Sequence, residues 1–231
     1  MVERVAARSD VLYTPEIAFG YAPHHLGRVG EGNGTISLRA STYRRLLEDV
    51  VRNLVFQGFD RIVLVTLHSF NVAAVEPLLI PLRMRTGAFV AVYGGRESPR
   101  LEEILGSEPG RLASDLEAAL ALALLGEDFR LTEYMAHGYE VHAPTWLGAS
   151  FTKQPGTGLA VSFRGNDNVV LGLQDFEFVR GVSRDGSLRS GVTAEKGQAI
   201  LDTMADDLAA FVDEVKGLDV DVHNRDLDWS E

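Results

Sequence analysis

The chain has 231 residues, a formal net charge of −11 and no cysteine. That length can bury one sizeable core, the acidic surplus argues against a nucleic-acid surface, and the missing thiols leave imidazole and oxygen as the only ligands for any metal. Apolar stretches such as Ile62 to Leu67 are too short to span a bilayer and no positively charged leader opens the chain, so it reads as cytoplasmic with no membrane partner.

In chain order, Val11 to Tyr13 reads as a short extended segment before Pro15, followed by a loop from Gly20 to Gly34 bearing glycine, proline and histidine. Leu46, Leu47, Val50, Val51, Leu54 and Val55 recur at helical spacing, which predicts a helix over Thr42 to Gln57 with Ser41 as N-cap and Gly58 as stop. The run Arg61 to Leu67 lacks polar alternation and predicts a parallel strand covered on both faces. Asn71 to Met84 then reads as a helix despite Pro77 and Pro81, and Ala88 to Tyr93 as a second buried strand, completing a β-α-β unit.

Ser114 to Leu125 is apolar all round, as in a helix buried on most sides or lying in a subunit interface. Leu159 to Phe163 and Val169 to Leu173 read as a hairpin around Gly165-Asn166-Asp167-Asn168. A last helix opens at Thr193, and residues 219–231 read as an acidic, mobile tail. With no repeat or composition break, the chain is expected to be one α/β domain over residues 1–231, three-layered with a mainly parallel central sheet.

Five of the six histidines lie in the expected loops and strand ends: His24, His25, His68, His137 and His142. His68 follows the first strand directly and should emerge at its carboxyl end, where ligands of open α/β sheets bind; the plain alternative is a histidine hydrogen-bonded at a strand end. Adjacent histidines such as His24 and His25 ordinarily face solvent. If residues 136–143 are helical, Glu140 falls near His137 on one face and His142 further round.

Four stretches together resemble the creatininase family: Phe19-Gly20-Tyr21-Ala22-Pro23-His24-His25 with Gly34-Thr35-Ile36-Ser37-Leu38, Gly58 through Asn71 ending His68-Ser69-Phe70-Asn71, Ala136-His137-Gly138-Tyr139-Glu140, and Thr193-Ala194-Glu195-Lys196-Gly197. The resemblance implies a creatininase-like fold, a homo-oligomer (a hexamer being one candidate) with Ser114 to Leu125 as a candidate contact, and hydrolysis of a carbon–nitrogen bond in an amide or cyclic amide. It implies His68 as a metal ligand with His142 as a second candidate, His137 and Glu140 as the catalytic acid/base pair, and Tyr21, His24, His25 and Asn71 on the substrate. The cofactor it implies is a divalent metal: zinc, manganese or iron.

The chain departs from the family pattern where Phe70 stands in place of a carboxylate, where Ala22 replaces a serine, and where the family's opening Glu-x-His segment with its Asp is not present. The usual two-metal site is therefore not expected within one chain. Three readings follow: an altered, mononuclear histidine site; metal-free acid/base catalysis by His137 and Glu140; or a non-catalytic subunit assembling with an intact homologue as partner.

Overall fold

The computed structural model describes residues 1–95, 98–106, 112–130, 140–154, 160–166, 169–181 and 192–227. The chain divides into two compact units, Met1–Pro23 with Ile36–Glu97 and Met204–Glu231, and His24–Thr35 with Ser98–Thr203.

The first unit is built on two parallel strands, β1 (Arg61–Val65) and β2 (Phe89–Tyr93), in register from Arg61 opposite Phe89 to Val65 opposite Tyr93. Successive strand residues point to opposite faces, and here both faces are covered. Ile62, Leu64, Val90 and Val92 pack against α2 (Ala40–Phe56) and α3 (Ser69–Thr86), through residues such as Val51, Val55, Val75 and Leu82. Val63, Val65 and Tyr93 pack on the other face against Val5 of α1 (Val2–Ser9) and Leu208, Ala209 and Phe211 of a helix near the chain's end. This three-layer α/β/α arrangement is why the strand run carries no polar alternation. Each fully buried Val or Leu contributes about 1.5–3 kcal/mol.

Helix α2 begins at Ala40, with Arg39 rather than Ser41 in the N-cap position and no side-chain cap bond, which corrects the expected cap. Its end follows the sequence: Phe59 N–H bonds Leu54 O and Gly58 N–H bonds Val55 O, a Schellman closure in which Gly58 takes φ +104°. Helix α3 keeps both Pro77 and Pro81 inside it. Each removes one backbone donor, and the burial of Val75, Leu78 and Leu82 against the sheet offsets the loss. Helix α1 has no counterpart in the sequence reading.

The segment following Lys216, read as a mobile tail from Asp219, is bound at Leu218 and from Asp221 to Arg225. Arg61 donates to Leu218 O, the N–H groups of His223 and Asn224 both donate to Thr86 O, and Val222 packs on the α2–α3 core. Arg225 donates to Val55 O at 2.8 Å and pairs with Asp60. Gly87, at φ +79°, gives the strap its passage, since a Cβ there would overlap the Asp221 carbonyl.

In the second unit α4 (Pro99–Leu105) precedes α5 (Leu112–Leu125), which lies against the first turns of α6 (Ala194–Lys216) so closely that a Cβ on Gly197 would overlap the Ala119 carbonyl. Helix α6 contributes residues to both units. Two short antiparallel pairs complete the second unit: β3 (Glu140–His142) with β6 (Val179–Gly181), and β4 (Phe151–Lys153) with β5 (Val161–Phe163). The expected hairpin is therefore corrected. The turn after Phe163 closes on itself, Phe163 and Asn166 exchanging backbone hydrogen bonds, but β5 pairs with β4. Leu171 and Leu173 instead turn their side chains onto Val161 and Phe178 in a small core. Among the described residues, no helix is long and apolar enough to cross a membrane.

The strap gives a direct test. Replacing Gly87 by Ala forces an L-residue into a left-handed conformation and a Cβ onto the strap's backbone; a loss of about 1–3 kcal/mol in urea unfolding is expected, with faster carboxypeptidase trimming of the chain's end.

Candidate functional site

His68 stands where the strand reading put it. The β1–β2 ladder extends to Thr66 N–H donating to Tyr93 O, and three residues later α3 begins with Asn71 and Val72 N–H both donating to His68 O. His68 is thus the N-cap residue of α3, in extended conformation, its own N–H directed at Thr66 Oγ1 at 3.3 Å and its ring 6.0 Å from that of Phe70.

The Gly20–Leu38 region of this unit is braced against the same strand end. Asn71 Oδ1 accepts from Tyr21 N–H at 2.7 Å while Asn71 Nδ2 donates to Thr66 Oγ1 at 3.1 Å. Gly20 permits this approach, because a Cβ there would come 2.7 Å from Asn71 Oδ1. Ser37 Oγ accepts from Ala22 N–H at 2.9 Å and donates to Leu38 O, and Leu38 N–H donates to Gly20 O. The Asn71 amide thus holds Tyr21 to the strand end. Tyr21 itself packs on the α2–α3 core, 6.4 Å from the Phe70 ring.

His24 and His25 belong to the second unit and close a 3-10 turn begun at Pro23. His24 is buried, contrary to the ordinary solvent-facing state of such a pair, and its ring centroid lies 3.9 Å from that of half-buried His25. Their ligand nitrogens are within 4.8 Å of each other. His25 Nδ1 sits 3.7 Å from Asp175 Oδ2, at the head of a 3-10 turn Asp175–Glu177 closed by a capping box in which Gln174 N–H donates to Glu177 at 2.6 Å. The Arg28 guanidinium lies over the Phe176 ring at 4.8 Å.

His137 lies outside the described residues. The backbone of Glu140 and His142 is strand, paired with Gly181 and Val179, so the helical reading of residues 136–143 does not hold over 140–142; pairing with β6 decides the local structure there. His142 is exposed. Sequence reasoning passed over Thr66, Ser37 and Asp175; only Asp175 had a local sign, the Gln174…Glu177 capping pattern.

The family model for creatininase, creatinine amidohydrolase, matches residues 1–212. Among solved structures, a creatinine amidohydrolase (creatininase) is 19% identical over 94% of this chain and 80% of its own, with a TM-score of 0.60. A mutant creatininase complexed with creatine is 23% identical over 93% and 80%, with a TM-score of 0.57. A mutant creatininase of Zn-Zn type is 21% identical over 91% and 78%, with a TM-score of 0.58. These likenesses show a shared fold. A search of curated proteins gives no match.

Replacing Asn71 by Ala leaves the Tyr21 N–H without its acceptor, and a loss of about 1–3 kcal/mol in folding stability is expected by calorimetry or urea titration. Asn71→Asp keeps the acceptor and should recover most of it.

Proposed function

The chain belongs to the creatininase family, and from that premise we propose that it hydrolyses a carbon–nitrogen bond of an amide or cyclic amide with the help of one divalent cation on the His24–His25 pair. The observation that carries this reading is the histidine pair: His24 buried and His25 beside it, ligand nitrogens within 4.8 Å, in a chain that keeps His68 at the carboxyl end of β1.

The donor set suits such a group. Neutral imidazoles favour zinc or iron over manganese, which prefers oxygen ligands, and a pair of them leaves coordination positions open. A bound cation of this kind would polarise the amide carbonyl and lower the pKa of water beside it. The chain's own residues supply the frame. Asn71 and Ser37 fix the loop that leads through Tyr21 and Ala22 to the histidine pair. His137 is proposed as the group that carries the proton to the leaving nitrogen, with Glu140 as its partner and His142 as a reserve ligand. A homo-oligomer is proposed as well, with the exposed Leu124 and Leu125 at the end of α5 as contact residues.

Elemental analysis of the purified protein should find about one zinc or iron per chain, and replacing His24 or His25 singly by Ala should abolish both the metal and the release of amine from cyclic-amide substrates. Activity that survives without metal would move the chemistry to His137 and Glu140 alone, and a metal-free, inactive protein would leave the non-catalytic subunit. For His137→Ala, an unchanged unfolding midpoint with a rate lower by roughly a hundredfold to ten-thousandfold is expected; a lower midpoint with activity retained would reject the catalytic role.

A further inference from the structure

We propose that Asp175 is the positioning residue for His25: its carboxylate biases the His25 proton to Nδ1 and so presents the Nε2 lone pair to the cation. This rests on the cation reading above, but the geometry is independent of it. Asp175 Oδ2 lies 3.7 Å from His25 Nδ1, too long for a hydrogen bond and close enough for a carboxylate to favour an N–H on that nitrogen.

Both partners are fixed by their surroundings. Asp175 heads a turn whose backbone is closed by the Gln174–Glu177 capping box, and the next residue after that turn, Phe178, is buried in the Val161–Leu173 core. On the other side, Asn33 Nδ2 donates to His25 O at 2.7 Å, which holds the histidine's backbone in place. Arg28, three residues beyond His25, lies over Phe176, the residue after Asp175, so loop and turn meet at two points. A carboxylate acting through the far nitrogen of a metal-binding imidazole fixes both tautomer and ring orientation, and losing it typically weakens metal binding by roughly 10- to 100-fold.

Exposure separates this role from a merely structural one. The two side chains are 42% and 34% exposed, and ion pairs at that exposure add little to stability. Substituting Asp175 should therefore leave folding almost unchanged while altering the imidazole.

The experiment uses the full chain with cobalt(II) as the probe, titrated by its visible absorption into wild type, Asp175→Asn, Asp175→Ala and Asp175→Glu, alongside nitrogen-15 NMR of the His25 ring without metal. Expected are an Nδ1-protonated ring in wild type, a mixed or Nε2-protonated ring in the Asn and Ala variants, cobalt affinity lower by about 10- to 100-fold in those two, partial recovery in Glu, and equal thermal midpoints. Unchanged tautomer and affinity, or affinity lost only in step with the midpoint, would overturn the proposal. If wild type takes up no cobalt, the cation reading fails, and the ring spectra still decide whether Asp175 positions His25.

Discussion

A strand that is apolar on both faces can exist only if something covers each face, and β1 imposes that demand on the rest of its unit. Ile62 and Leu64 require α2 and α3; Val63 and Val65 require α1 and α6. Once both layers are in place, the strand's end is held rigidly, and the chain that leaves it must turn at once into α3. His68 occupies that turn. The histidine's position is thus a product of core packing, as is usual where ligands gather at the carboxyl ends of parallel strands.

The same strand end also anchors a distant loop. Asn71, in the first turn of α3, reaches back to Thr66 and across to the Tyr21 N–H with a single amide group. One side chain therefore ties together strand, helix and the loop that runs on to His24. A side chain of this kind, satisfied at both ends, adds rigidity where a reactive site needs fixed geometry.

Elements whose signal is local were readable from the residues: the periodic apolar stripe of α2, the glycine that ends it, and the unbroken apolar runs of β1 and β2. Elements whose signal lies in a partner were not. Helix α1 has a buried Val5 as its anchor, and the residues it packs on come some two hundred positions later in α6. The last residues have an acidic composition that reads as solvated, yet they attach through backbone groups, Val222 and the Arg225 side chain, which overall composition does not register. In the site, His68 was placed by the strand it follows, whereas the work of Asn71 depends on a backbone group fifty residues earlier. The turn at Gly165-Asn166 was read correctly as a turn; which strand would lie beside β5 was decided by β4 and not by the turn itself.

The first unit is assembled from stretches distant in sequence, Met1–Pro23 and Ile36–Glu97 with Met204–Glu231. During synthesis, β1 and β2 leave the ribosome with α2 and α3 to cover one face, but residues that cover the other, Leu208, Ala209 and Phe211, follow far later in the chain. The nascent protein therefore carries an incompletely covered apolar sheet face until those residues emerge. Domains that close in this way complete folding only after the covering residues have emerged, and the bare surface they carry until then is a binding target for chaperones and a route to aggregation.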